Sequence, residues 1–428
     1  MFRSVLAALL LLNTSHALAQ EEPASQPAST PGQGPASQPA PPPETAPEPV
    51  SAPADARDER YAAPAAELAE HEAEDAPGDE EGAGLLQEDV PTRAEIFRRG
   101  SFRLQVGGVI QVQSAFYVGD EAALAYDDPA DTEGFRIRRA RFGFGGTLLK
   151  DWSFYLAVDL KDAVVASQGG DQGNEILDAK IEWRRFPFAR VVVGMDKVPF
   201  SAFSLQSSSR LVLIERPLMT GHLAPDRRVG LMVAGDVWRL QYAAGFYNGS
   251  DGVTSGNRMA GLSGAGYLQL NLLGQPTSFV PRKLRISLAG GYMYEDGPAV
   301  NSHRAGASLQ VQGWKTRLVG EYLWMQTSPD TQPSAGSVVA GDASRWGVAG
   351  ELSAFVWKQL IQVAVRYEYY RDVEDLPTFG SQQLISAGLN IYLYRDNIKL
   401  QINYINRDER EGPKVENDIG FAQLQAMF

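Results

Sequence analysis

A sixteen-stranded antiparallel transmembrane β-barrel, an all-β fold, is predicted by three features of this 428-residue sequence. Apolar and polar residues alternate in short segments from Phe102 to Phe428, which is the side-chain period of a β-strand. The links between these segments are alternately short and long, as in barrels of the outer membrane. After the N-terminal region, no stretch reaches the roughly 18 apolar residues that a membrane-spanning helix requires. The full prediction adds a third outer loop folded into the barrel and a disordered segment before the first strand.

Residues 1–19 have the form of a secretory signal peptide. Arg3 supplies the positive charge, Val5–Leu12 the short apolar run, and Ala17 and Ala19 the small residues before the predicted cleavage site. We therefore expect export and a mature start at Gln20. The chain contains no cysteine, which excludes disulfides, thiolate metal sites and a cysteine nucleophile.

Residues 20–100 are predicted to form a disordered periplasmic segment. They are rich in Pro, Ala, Ser, Gln and Glu and lack the apolar residues that offset chain entropy. They hold 18 of the 52 acidic residues and five of the 39 basic ones, which accounts for the formal net charge of −13. Two interpretations stay open for this segment: a tether that contacts periplasmic partners, or an interchangeable tail.

Residues 101–428 are predicted to form the barrel. Trp152, Phe154 and Leu156 alternate with Ser153 and Tyr155, and similar alternation recurs in sixteen segments. This region holds 33 basic and 34 acidic residues, so it is nearly neutral. Because lipid offers no hydrogen bonds to the backbone, the strands must close into a ring, with apolar side chains facing lipid and polar ones facing a wet interior.

The links between the predicted strands separate the two ends of the barrel. Links after the even-numbered strands have a few residues, such as 149–151 and 394–396, except the longer link 273–281. Links after the odd-numbered strands are mostly longer and polar, such as 119–133, 163–174, 198–226, 327–343 and 408–416. Short periplasmic turns and long outer loops are typical of outer-membrane barrels, so outer-membrane lipid is the expected surrounding.

The last predicted strand agrees with this location. Gly420, Ala422, Leu424 and Ala426 share one face with Phe428, the final residue. A terminal aromatic residue on an outward-facing strand resembles the signal by which outer-membrane barrels are recognised for insertion.

Four arginines lie within six residues of the second predicted strand. Arg139 and Arg141 alternate with Phe142 and are predicted to face the interior. Arg136 and Arg138 have the parity of the lipid-facing set, so they lie near the rim or follow a β-bulge that shifts the register. Guanidinium groups in a wet interior bind phosphate or carboxylate, although pairing with acidic residues of an inner loop is an alternative.

Val198–Asp226 is the longest interruption of the strand pattern. By strand parity it is the third outer loop, and Phe200, Phe203 and Leu205 are too apolar for a loop left in water. Folding inward would bury these side chains and place the Ser207–Ser209 hydroxyls in the interior as oxyanion donors. Packing of this loop on a neighbouring subunit is the alternative.

Several segments together resemble the phosphate-selective porin O and P family. They are GFRIRRARFGFGGTLLKDWSFYLAVDL, ILDAKIEWRRFPFARVVVGMDKVPFS, SSSRLVLIERPL and LAPDRRVGLMVAGD. The resemblance covers roughly residues 102–428. It implies a homotrimer whose third outer loop folds inward, and anions that move along a ladder of arginines and lysines towards a constriction.

The resemblance also implies roles for individual residues. Arg138 and Arg139 match the family's strand-two arginine pair, and Ser207–Arg210 matches its third-loop motif. The predicted anion-binding or pore-lining residues are Arg138, Arg139, Arg141, Ser207, Ser208, Ser209, Arg210, Arg216, Arg227 and Arg228.

The predicted function is passive diffusion of small anions, phosphate or similar oxyanions, through a water-filled pore. A structural or tethering barrel and a general non-selective pore are the alternatives. An enzyme is not expected, because the sequence has no Walker A, HExxH or GxSxG motif and its two barrel histidines, His222 and His303, lie far apart. No cofactor, metal or nucleic-acid partner is expected.

Overall fold

The structure, a computed structural model, describes most of the predicted barrel and a short segment before it. The described residues are 85, 87–92, 94–119, 133–161, 176–249, 261–277, 279–297, 300–329, 342–372, 381–411, 414 and 416–428. The predicted signal peptide and residues 20–84 of the predicted disordered segment lie outside them, as do most of the predicted long links.

The described residues form seventeen antiparallel strands. They are β1 (Ala94–Arg99), β2 (Phe102–Gly119), β3 (Gly134–Leu149), β4 (Trp152–Asp159), β5 (Ile176–Phe186), β6 (Ala189–Lys197), β7 (Arg227–Val237), β8 (Leu240–Asn248), β9 (Leu262–Leu273), β10 (Arg285–Asp296), β11 (Val300–Gly313), β12 (Thr316–Pro329), β13 (Ala343–Trp357), β14 (Ile361–Arg371), β15 (Gln382–Tyr394), β16 (Ile398–Glu409) and β17 (Asn417–Met427). Each of β2 to β16 pairs with the next strand, and β17 pairs back onto β2. The predicted sixteen-stranded barrel is therefore confirmed.

Strand β1 lies outside the predicted set of sixteen. The C-terminal part of β2 pairs with β17, beginning with Val109 opposite Met427. The N-terminal part of β2 pairs with β1 and extends to Val106, which lies opposite Ala94. Phe428 and Gly108 exchange backbone hydrogen bonds of 2.9 and 3.1 Å where β17 ends. The structure therefore places a strand, Ala94–Arg99, within the segment predicted to be disordered.

The two faces of the wall differ as the alternation predicts. In β17, Ile419, Phe421, Gln423 and Gln425 face inward and are buried, whereas Leu424 on the other face is half exposed. Large exposed aromatic side chains gather beside the short turns: Trp152, Phe186, Phe188, Trp238, Trp314, Trp357 and Tyr394. This ring has the position of an interfacial aromatic girdle. Among the described residues, no helix is long and apolar enough to span a lipid bilayer.

The exceptional long link between β9 and β10 folds back against the wall. Phe279 packs on Phe355 and Tyr392 with ring centroids 5.4 and 5.1 Å apart. The backbone N–H of Thr277 donates to Gln312 at 2.9 Å. The extra residues of this link are therefore used to fill the short-turn end of the barrel.

Candidate functional site

The segment between β6 and β7 lies inside the barrel, as predicted. It contains the helix α1 (Ala202–Leu205), a 3-10 turn (Ser208–Arg210) and the helix α2 (Leu218–Leu223). Its buried apolar residues are Val198, Phe200, Phe203, Leu205, Leu211, Val212, Leu213, Ile214, Met219 and Leu223, all at most 6% exposed. Burial of this many apolar side chains accounts for the inward fold.

This inner loop, residues 198–226, crosses the barrel and is bonded to opposite walls. Glu321 on β12 accepts hydrogen bonds from the Ser201 hydroxyl at 2.9 Å and the Ala202 backbone at 2.6 Å. On the other side, Arg141 of β3 donates to the Ser208 hydroxyl at 2.7 Å, and Gln425 of β17 donates to the Ser209 carbonyl at 3.0 Å. Further bonds between loop backbone and wall come from Glu368, Asn390, Lys399, Gln401 and Asn403. The loop is therefore fixed as a partition across the interior.

The arginine cluster on β3 reaches the interior through a β-bulge. Gln111 of β2 pairs with Arg139, but the next residue, Val112, pairs with Ile137, so Arg138 is the extra residue. The bulge shifts the parity of the strand, and Ile137 faces outward, 54% exposed. Of the two alternatives for Arg136 and Arg138, the β-bulge is therefore the one that the structure contains.

Arg138 and Arg139 bind different partners. Arg138 makes two hydrogen bonds to the Glu215 carboxylate of the inner loop, at 2.7 and 3.0 Å. Arg139 is buried and donates to Gln111 at 2.6 Å. Burial alone would raise the pKa of Glu215, but Arg138 and its hydrogen bond outweigh burial and hold this pKa at about 2. Arg138 therefore anchors the inner loop to β3.

The Arg138–Glu215 pair gives a pH-dependent stability. Because the pKa of Glu215 is depressed in the folded chain, the stabilisation is complete above the ordinary glutamate pKa of roughly 4.3 and is lost as the pH falls towards about 2. Glu215→Gln should therefore lower the free energy of unfolding at pH 7 by about 1.5–3 kcal/mol, since it removes the charged hydrogen-bond partner of the partly buried Arg138 guanidinium. Urea unfolding in detergent, followed by tryptophan fluorescence, measures this difference.

The same comparison at acidic pH is the control for that prediction. At pH 2, close to the depressed pKa, about half of the wild-type Glu215 side chains are protonated, so the difference in free energy of unfolding between wild type and Glu215→Gln should shrink. A difference that is equal at pH 7 and pH 2 would contradict an ionic role for Glu215.

A second cationic cluster surrounds one buried carboxylate, that of Asp89, which is 1% exposed. Lys197 lies 3.0 Å from one carboxylate oxygen, and Arg227 and Arg141 contact the other, Arg141 at 3.4 Å. The Arg216 guanidinium lies 4.0 Å away. Burial would raise the pKa of Asp89, but Lys197 and the three arginines hold it well below its usual value. The cluster therefore stabilises the ionised carboxylate of Asp89.

Two further acids orient the cations of this cluster. Arg141 donates to Asp159 at 2.7 Å, and Arg227 donates to Asp178 at 2.8 Å. The four cations Lys197, Arg141, Arg216 and Arg227 thus face two fixed carboxylates besides Asp89. Without the Asp89 carboxylate, the surroundings carry an excess of two positive charges, which suits a small oxyanion.

The three serines of the inner loop act at this cluster through different atoms. The Ser208 backbone N–H donates to Asp89 at 2.6 Å, and the Ser208 hydroxyl accepts from Arg141 at 2.7 Å. The hydroxyls of Ser207 and Ser209 hydrogen-bond to each other at 2.8 Å. Ser208 therefore contacts the bound carboxylate directly, while Ser207 and Ser209 shape the turn.

The remaining predicted residues lie apart from this cluster. Arg228 forms a separate group with Glu295, 2.8 Å away. Arg210 lines a neighbouring cavity with Arg317, Gln206 and Leu85. The structure therefore brings Arg141, Ser208, Arg216 and Arg227 together and places Arg138, Arg139, Arg210 and Arg228 elsewhere.

A family profile described as phosphate-selective porin O and P matches residues 110–332, which is just over half of the chain. The chain belongs to this family. The match to an anion-selective porin from Comamonas acidovorans covers 76% of this chain and 100% of that porin, at 14% identity and with a TM-score of 0.53. No curated relative matches the sequence.

Two other solved structures share the fold. The outer-membrane channel DcaP of Acinetobacter baumannii is 11% identical, and the match covers 78% of this porin and 100% of DcaP, with a TM-score of 0.53. OmpT of Vibrio cholerae is 11% identical over 78% of this chain and 100% of its own, with a TM-score of 0.52. These structural matches show that the porin shares their barrel fold.

Lys197 and Asp89 complete the cationic cluster, and neither was among the site residues predicted from the sequence. Lys197 ends a predicted strand directly before the inner loop, so its position at the loop base was a usable signal. Asp89 belongs to a region predicted to be disordered. The apolar residues Leu85 and Val90 beside it interrupt the Pro- and Ala-rich composition and are the signal that could have marked an ordered segment.

Proposed function

We propose that this porin allows passive diffusion of small anions, with preference for phosphate or similar oxyanions. One observation carries the proposal: Lys197, Arg141, Arg216 and Arg227 converge with the Ser208 N–H on one point beside the inner loop. Charged and backbone donors at one point form a site for an oxyanion, whether phosphate or carboxylate.

The distribution of charge supports the proposal although the barrel region is nearly neutral overall. Glu321 and Glu368, on the β12–β14 side, accept hydrogen bonds from inner-loop backbone groups. Arg366 lies 2.6 Å from Glu368 and 3.5 Å from Glu351. The carboxylates on that side of the wall thus bind the inner loop or Arg366. The cations on β3, β6 and β7 instead converge on the proposed site.

Ion selectivity of the purified wild-type porin tests the proposal. In planar bilayers under a KCl gradient, the reversal potential should have the sign of anion preference, and inorganic phosphate should reduce the chloride current. Nitrate at equal concentration is the matched anion and should leave the chloride current nearly unchanged. A reversal potential with the sign of cation preference would contradict anion selectivity, and equal effects of phosphate and nitrate would favour a general non-selective porin.

The structural or tethering alternative concerns residues 20–100. A chain without residues 20–84 should conduct as the full chain does if the barrel acts as a pore. An envelope defect with unchanged conductance would favour a periplasmic tether. Assembly as a homotrimer is part of the proposal on the strength of the family, and native mass spectrometry in detergent tests it. We infer no enzymatic activity.

A further inference from the structure

The residues directly before β1 lie inside the barrel. This lumen segment, residues 85 and 87–92, contacts walls on both sides of the interior. Leu85 packs in a buried cluster with Phe203, Tyr267 and Val319. At its other end, the Tyr155 hydroxyl of β4 donates to the Val90 carbonyl at 2.8 Å. An extended chain of this length spans roughly 20 Å, so the segment crosses the interior beside the inner loop.

The wall is shaped to accept the lumen segment. A methyl group added at Gly107 of β2 would lie 2.0 Å from the Pro91 carbonyl oxygen. At Gly143 of β3, the added carbon would lie 3.0 Å from a Val90 methyl carbon, and at Gly145 it would lie 2.8 Å from the Thr92 hydroxyl. Three inward positions without side chains thus leave space for residues 90–92. This complementarity indicates a built contact.

The lumen segment also bonds to the inner loop and to the base of the cationic cluster. The Gln87 side chain accepts a hydrogen bond from the Ser207 backbone at 3.2 Å. Lys197 donates to the Gln87 carbonyl at 3.1 Å and to Asp89 at 3.0 Å. These contacts place the Asp89 carboxylate at the point where the cations and the Ser208 N–H converge.

We propose that Asp89 is a built-in ligand of the oxyanion site and that a free oxyanion enters only by displacing its carboxylate. This inference rests on the proposed function, because it names the regulation of the same site. The carboxylate has the charge and the acceptor oxygens of a small oxyanion, and its tether to β1 gives it a high effective concentration. The lumen segment therefore sets the apparent affinity of the pore for its solute.

Asp89→Asn tests the proposal in the full-length porin, with Glu88→Gln as the matched control. Glu88 is the neighbouring acid, is exposed, and faces Lys180, which is not one of the four cations of the cluster. Asparagine keeps the shape but removes the competing charge, so the phosphate concentration that halves the chloride current should fall about tenfold. Glu88→Gln should change it less than about twofold, a difference below the size of a typical coupling effect.

A reversible cross-link tests whether the lumen segment must move. The chain has no cysteine, so Val90→Cys with Gly143→Cys introduces one defined pair, and the added carbon at Gly143 would lie 3.2 Å from the Val90 Cβ. This separation is close to the roughly 3.5–4.5 Å between Cβ atoms of a disulfide. The oxidised protein should lose phosphate block of the chloride current, and reduction should restore it.

The outcomes separate this inference from the proposed function. If Asp89→Asn and Glu88→Gln give the same phosphate block, or if the cross-link has no effect on that block, Asp89 does not compete with the solute. The wild-type porin would then still be anion-selective by its reversal potential. A wild-type porin that prefers cations would overturn both proposals.

Discussion

Replacing both Arg141 and Arg227 by glutamine should reverse the ion selectivity of the porin from anions to cations. The cationic cluster has four cations facing Asp89, Asp159 and Asp178, an excess of one positive charge. The double substitution leaves two cations and three carboxylates, an excess of one negative charge. Because charged side chains at a constriction set the sign of selectivity, the reversal potential under a KCl gradient should change sign.

The matched control removes two arginines outside the interior. Arg185 and Arg239 lie exposed at short turns, and Arg185→Gln with Arg239→Gln causes the same change in net charge. This control should keep anion preference. Retained heat-modifiable mobility on gels would show that both double variants fold as barrels. A cluster variant that folds and still prefers anions would mean that the cluster does not control permeation.

The barrel itself could be predicted because its physics is local. Each strand must place apolar side chains towards lipid and polar ones towards the interior. Alternation of the two residue types along the strand, as in Trp152–Asp159, therefore predicts the strand. The inner loop could also be predicted, since Phe200 and Phe203 have to leave water. Its attachment to Glu321 could not, because a hydrogen bond across the barrel depends on closure of the ring.

The candidate site could be predicted only in part, because its contacts also depend on closure of the ring. Arg141 was predicted to face the interior, and Arg227 directly follows the inner loop, but which cations meet at one point depends on the shear and closure of the barrel. The β-bulge at Arg138 depends on how β2 and β3 pair. The alternation within β3 alone left the bulge as one of two alternatives. Asp89 was missed because composition over some eighty residues masked a short ordered segment.

Gly291→Leu should have the largest effect on the size of the pore. Gly291 faces inward on β10, where an added side-chain carbon would lie 2.0 Å from the Phe200 carbonyl oxygen. The leucine must therefore push the start of the inner loop away from the wall, which removes Phe200 and Phe203 from their buried positions. Overpacking of this kind costs about 1–3 kcal/mol, and exposure of each phenylalanine adds roughly 1.5–3 kcal/mol. We expect a higher single-channel conductance, noisier current and unfolding at lower urea concentration.

Gly320→Leu is the matched control, because the two glycines lie on opposite faces of the wall. Gly320 of β12 alternates with the buried Val319 and Glu321, and an added carbon there meets no atom within 4 Å. The same substitution should leave conductance and urea midpoint close to those of the wild type, since a leucine facing lipid is favourable. If Gly291→Leu instead behaved like Gly320→Leu, the loop would not be held against β10. The contacts at Ser201, Ala202 and Glu321 would then have to fix the constriction without support from Phe200.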